Sequence, residues 1–290
     1  MESPDEAGQG EPAGAPPVPA ASSPAPAARI PRGLQILPAL LLVVIAVWEI
    51  VATRHDATSV PDDTSWARAA DLVRAGYRPG DLIVFAPEWI DPVGRLHLGD
   101  LIPIDAAARM DAARFPRIWE VAIRDARAAD TTGLTPAGTE DRDGIAIRWY
   151  DQTPAKVLAD LRDRLSTVRT DGGSTPILEL AEVGFRPHRC VQVAPGAKGA
   201  IRLTFPGVPL GSQLVGYVGI ADVFTRRDNR APATLDIEIG GRVVASATAG
   251  VDDGWVRFAA TTTPGPADVT VIARSAMGAR LICFAAEARQ

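Results

Sequence analysis

Residues 34–52 (LQILPALLLVVIAVWEIVA) form an apolar run of nineteen residues. At about 1.5 Å of rise per residue, a helix of this length covers roughly 28 Å, close to the ~30 Å hydrocarbon thickness of a bilayer. No polar side chain lies between Leu37 and Trp48. Gln35 and Glu49 sit near the two ends, where side chains reach the headgroups, and Trp48 suits the interfacial belt. A buried helix of a soluble protein would carry a polar stripe. The run therefore reads as one transmembrane helix, residues 34–53, with the lipid bilayer as the partner of residues 34–52.

A cleaved signal peptide has a shorter apolar core and a brief basic leader. Here thirty-three residues precede the run, among them Glu2, Asp5, Glu6 and Glu11, so an uncleaved signal-anchor is expected. Arg29 and Arg32 flank one side of the run, and Arg54 the other. The positive-inside rule then puts the N-terminus in the cytoplasm of a cell (inner) membrane protein and the larger C-terminal part outside it, in a periplasmic or other extracytoplasmic space. Residues 1–33 are rich in Pro, Ala, Gly and Ser; a segment with so few large apolar side chains cannot offset its chain entropy and is expected to be a disordered tail.

The rest of the chain has room for two small domains. A net charge of −5 offers no basic field for nucleic acid. Cys190 and Cys283 are the two cysteines; they pair as a disulfide in an oxidising compartment or remain buried thiols. Without clustered histidines they make no zinc site, and no metal or cofactor is expected.

Residues 62–170 read as a small α/β domain. Asp62 or Asp63 caps a helix over 64–75, and Arg78-Pro79-Gly80 turns the chain into the apolar strand 81–86. A short helix near 106–113, strands 117–123 and 145–150, and a helix starting at Thr153-Pro154 follow. That helix takes its apolar face from Val157, Leu158, Leu161 and Leu165. In open α/β sheets, ligands bind beyond the carboxyl ends of strands. The segment after the first strand gathers Glu88, Trp89, Asp91, Arg95, His97, Asp100 and Asp105 within eighteen residues. Acids beside a histidine suit acid–base chemistry, and Trp89 with Arg95 suits a sugar or anion. The alternative is an ordinary solvated loop in which Asp100 caps a turn. No Gly-rich phosphate loop, GxSxG or HExxH occurs, and no catalytic residue is assigned.

Residues 175–290 change texture to about nine short strands with Gly and Pro punctuation. Leu235, Ile237 and Ile239 alternate with Asp236 and Glu238, and Gly240-Gly241 makes a two-residue hairpin turn. This spacing indicates a β-sandwich, expected to be a jelly roll. In that topology the first and last strands often pair, which brings Cys190 near Cys283. Asp222, Arg226, Arg227, Asp228 and Arg230 form the polar loop of this part. Trp255 opens a strand and is expected to pack in the core rather than stack on a ligand.

Two resemblances accompany this reading. YRPGDLIVFAP (77–87) and FPRIWEV (115–121) resemble the soluble region of membrane glycosyltransferases that use polyprenyl-phosphate sugars. That resemblance implies a Rossmann-like domain of accessory kind. One membrane helix cannot build those enzymes' multi-helix site, so it implies no transferase activity; an accessory subunit is the alternative it leaves. GYVGIADVF (216–224), LDIEIGGRVV (235–244) and DGWVRF (253–258) are similar to jelly-roll modules of the galactose-binding-like and carbohydrate-binding type. That similarity implies binding of a glycan through loop polar groups and exposed aromatics. The fold class expected is thus α/β plus all-β behind a membrane anchor, with a non-catalytic role binding glycan or an envelope protein. An enzyme acting on envelope carbohydrate is the rival reading.

Overall fold

The computed structural model describes residues 32–58, 60–221 and 230–290. Residues 1–31, which hold most of the expected tail, lie outside them, as do Asp222, Arg226, Arg227 and Asp228. The chain divides into two units, Met1–Ser59 and Val60–Gln290. The described part of the first unit is helix α1 (Arg32–Thr58). Its stretch Ile36–Asp56 is long and apolar enough to cross a membrane. The side chains from Ile36 to Val51 are all exposed, as a helix solvated by lipid requires.

The second unit begins with α2 (Asp63–Gly76). The Asp62 carboxylate accepts the Ser65 backbone N–H at 2.7 Å and starts the helix. Its inward face, Trp66, Ala69, Ala70 and Val73, packs on a four-stranded sheet. The chain continues through β1 (Leu82–Ala86), a 3-10 turn at Glu88–Ile90, α3 (Asp91–Leu98) and α4 (Ile104–Ala107). Then come β2 (Arg117–Ile123), β3 (Gly138–Arg142) and β4 (Ile145–Asp151). The sheet order is β1-β2-β4-β3. Only β1 and β2 run parallel; β4 is antiparallel to both its neighbours. A Rossmann domain needs successive parallel strands with crossover helices. This sheet instead ends in a hairpin, so it is a mixed α/β layer.

The Thr153-Pro154 segment does not open a helix. It leads into strand β5 (Val157–Asp160) and a 3-10 helix at Leu161–Thr167, followed by β6 (Arg169–Asp171). β5 pairs with the last strand of the chain, Asp160 opposite Glu287. Leu161 enters the core of the β-rich region instead of a helical face. Tertiary pairing overrides the local helical pattern.

The remaining strands are β7 (Ile177–Val183), β8 (Arg186–Val193), β9 (Ala200–Leu210), β10 (Gln213–Ile220), β11 (Ala233–Ile239), β12 (Arg242–Ala249), β13 (Val256–Thr261), β14 (Gly265–Arg274) and β15 (Ile282–Arg289). They form two sheets, β13-β10-β15-β8-β7 with β5 added to β15, and β12-β11-β14-β9-β6. One apolar core joins them, with Phe205, Leu235 and Val271 from one sheet and Leu214, Val218 and Phe284 from the other. The alternation on β11 buries Leu235 and Ile237 and leaves Asp236 and Glu238 toward solvent.

Cys190 on β8 and Cys283 on the neighbouring β15 form a disulfide, with Cα atoms 5.5 Å apart and both side chains buried. The bond closes a loop over a separation of 93 residues. Replacing both cysteines with alanine is expected to lower unfolding free energy by about 4.7 kcal/mol, the loop-closure value for such a span, measured by urea unfolding under non-reducing conditions.

Candidate functional site

The segment after β1 is held by buried Ile90 and Leu98, which pack with Trp66 and Phe85. Its polar side chains do not converge. Glu88 pairs with Arg186 in the turn between β7 and β8. Asp91 accepts Arg95 Nε at 2.5 Å within α3. Asp100 takes both Arg74 Nη groups of α2, at 2.6 and 2.7 Å. That guanidinium holds the Asp100 carboxyl below its ordinary value. His97 stacks on Trp66, and its Nε2 lies 3.1 Å from an Asp63 oxygen. Asp105 faces Arg189 at 3.4 Å. Four carboxylates thus meet four different arginines, and no pair of them shares a reacting position with His97. Acid–base chemistry requires such convergence. Among the described residues, no group of three or more His, Cys, Asp or Glu side chains is placed to hold a metal ion.

What the segment does present is an aromatic edge. Trp89 is 58% exposed, and Arg124 lies over its ring at 5.9 Å from the centroid. Phe185, 84% exposed, sits at the β7–β8 turn. The Glu88–Arg186 ion pair ties the residue before Trp89 to the residue after Phe185. Arg124, Asp125 and Phe185 all have positive φ, at 54°, 55° and 66°. Each such conformation costs a non-glycine residue about 1 kcal/mol or more, and proteins concentrate that cost where side chains must be aimed. Arg124 is invisible in the sequence as a partner of Trp89, as is Arg186 as a partner of Glu88. An apolar residue at a strand-to-strand turn is the one available signal.

A second constellation lies between the α/β layer and the sandwich, and it is charged. Arg289 on β15 grips Asp111 of the α4–β2 loop with two hydrogen bonds of 3.0 and 2.9 Å. Arg114 from the same loop reaches Asp160 at 2.6 Å and Glu287 at 2.7 Å. Arg162 binds Asp160 at 2.6 Å. Three guanidiniums and three carboxylates balance, with Glu287 fully buried. Burial pushes the Asp160 carboxyl up, but hydrogen bonds and charge from Arg162, with Arg114 beside it, outweigh this and hold it below its ordinary 3.8. Glu120, buried on the face of the α/β sheet opposite α2, is likewise pushed up by burial and held down by Thr131, the Ala128 N–H and Arg148.

Trp255 belongs to this seam. His188 stacks on it at 4.4 Å and Tyr217 at 5.9 Å, and its indole N–H donates to the Met110 carbonyl at 3.1 Å. With these neighbours it serves packing between the layers. His188 Nδ1 lies 3.1 Å from the Arg109 carbonyl. Burial pushes this imidazole down to about 4. Of the expected sandwich loop, Arg230 is described; it pairs with Asp252 at the surface.

No family model matches the sequence. No curated protein matches it either. Among solved structures it is similar to carbohydrate-binding modules. One is the CBM51-2 module with INT domains of Clostridium perfringens ZmpB, in complex with GlcNAc: 12% identity, TM-score 0.35, 59% of this chain and 40% of that one. Another is CBM51 from Clostridium perfringens GH95 in complex with methyl-galactose: 9% identity, TM-score 0.30, 41% of this chain and 86% of that one. A third is the CBM22-1 xylan-binding domain of Paenibacillus barcinonensis Xyn10C: 11% identity, TM-score 0.32, 48% of this chain and 99% of that one. Likeness at this level carries no argument about a ligand. The expected kinship with glycosyltransferases finds no support among these matches.

The seam and its histidine make two predictions. Glu287→Gln leaves the largely buried Arg162 and Arg289, with the half-exposed Arg114, facing two carboxylates and is expected to cost about 3 kcal/mol in urea unfolding. His188 is neutral in the folded protein, whereas an unfolded histidine takes up a proton near its ordinary 6.5. Its stabilising contribution is therefore complete above pH 6.5 and lost as pH falls from there toward 4, on the order of 3 kcal/mol in all. In His188→Gln the melting temperature should fall less steeply than in wild type over that window; parallel curves would refute the assignment.

Proposed function

We propose that this chain is a single-pass envelope protein that holds carbohydrate without acting on it. Its N-terminus lies in the cytoplasm, and the unit Val60–Gln290 stands outside. The observation that carries the reading is Trp89, a large aromatic surface left open on a packed element. A sugar offers its C–H face to such a ring and its hydroxyls to charged groups around it; Arg124 and the Glu88–Arg186 pair supply both donors and acceptors there. The disulfide supports export, since such bonds persist in oxidising compartments. The paired-off state of Glu88, Asp91, Asp100 and Asp105 supports binding over catalysis. Asp91, Arg95, His97 and Asp100 then shape the supporting surface and need not touch the ligand. The sandwich loop residues Asp222, Arg226, Arg227 and Asp228 are proposed as further glycan contacts.

The test is retention of the full chain, in lipid nanodiscs, on a glycan array. Trp89→Ala is expected to weaken retention about tenfold, the value of one aromatic stacking contact. Wild-type protein that retains no glycan would overturn the reading.

A further inference from the structure

A groove of about 770 Å³ opens on the α/β layer between α2 and the strands β2, β3 and β4. Trp119 and Trp149, directly opposite each other on β2 and β4, form its floor with ring centroids 5.5 Å apart. Trp119 is buried and donates its indole N–H to Asp81 at 2.9 Å. Trp149 remains partly exposed to the groove. Both rings lie against bare backbone. A Cβ at Gly76 would stand 2.5 Å from the Trp119 ring, and one at Gly138 only 1.9 Å from that of Trp149. The two glycines let the chain clamp both rings, so the platform is preorganised and does not lose rotamer freedom on binding.

The rim is made of matched charges. Arg68 pairs with Asp143 at 2.7 Å, Arg142 with Glu140 at 2.5 Å, and Arg117 with Asp151 at 2.6 Å. An anion would find no net positive field here, since Asp71 lines the groove beside these three pairs. Fixed N–H donors alternate with fixed carboxylate acceptors, the arrangement a row of hydroxyl groups satisfies. The volume suits a ligand larger than one sugar ring.

We propose that this groove is a second glycan site, separate from the Trp89 edge, taking an uncharged oligosaccharide with Trp149 as its stacking platform. The proposal rests on the reading that the exported unit binds carbohydrate, and it places part of that binding in the α/β layer instead of the β-sandwich.

The experiment titrates full-length protein in nanodiscs with cellotetraose, xylotetraose, chitotetraose and tetragalacturonate, following tryptophan fluorescence and calorimetric heat. At least one neutral tetrasaccharide should bind, and Trp149→Ala should weaken it about tenfold while Trp149→Phe restores most of the affinity. Arg142→Gln, on the exposed rim, reports on the same site without touching the packed rings and should weaken it several-fold. Trp89→Ala should leave this titration unchanged. Neutral-glycan binding that survives both Trp149→Ala and Arg142→Gln overturns the groove and leaves the carbohydrate reading standing. Tighter binding of tetragalacturonate overturns the ligand class. Wild-type protein that binds none of the four overturns the groove, and if it also retains nothing on the array it overturns the carbohydrate reading as well.

Discussion

The charged seam between the two layers is the interaction on which the rest of the unit Val60–Gln290 depends. Asp111, Arg114, Asp160, Arg162, Glu287 and Arg289 come from three segments: the α4–β2 loop, the β5 region and the last strand. Five of these six charges are largely removed from water, which is costly, and mutual pairing recovers that cost only if every member finds its partner. The geometry is therefore close to all-or-none. It positions the loop that carries Met110, whose carbonyl accepts the indole N–H of Trp255, on which Tyr217 and His188 stack, and it locks β5 onto β15. Val60–Gln290 is accordingly one compact unit, in which the α/β layer and the sandwich share a polar interface and not only a linker.

This arrangement explains why the aromatic residues divide into two roles. Trp66, Trp119 and Trp255 are held by neighbours and a defined packing direction, and they hold layers together. Trp89 and Trp149 project from packed elements with part of their surface open. Beside Trp149, arginines are matched to carboxylates; beside Trp89, Arg186 is matched to Glu88 and Arg124 lies over the ring.

Much of the local structure is legible in the residues. Asp62 announces the start of α2, the alternation on β11 announces its buried face, and Gly240-Gly241 announces its hairpin turn. The helical pattern at Thr153-Pro154 misleads for a specific reason. Val157, Leu158, Leu161 and Leu165 carry helical spacing, yet a strand can use Asp160 opposite Glu287, a partner 127 residues further on. The Rossmann-like expectation fails at β3 and β4 for a similar reason, since strand direction is decided by the connection and the packing. The loop 88–105 is visibly rich in polar groups, but their pairing with Arg74, Arg186 and Arg189 is set by elements far off in the chain.

By itself, the sequence determined that residues 34–52 are apolar enough to cross a bilayer, that α2 starts after Asp62, and which face of β11 is apolar. Those properties depend on side chains within a turn or two of one another. The tertiary structure alone decided that six scattered charges, five of them largely buried, neutralise one another in the seam, and that Trp149 is opposite both Trp119 and Gly138. Pairing between distant segments is selected by the free energy of the whole packed unit, in which one residue of register shift exchanges every buried side chain for an exposed one.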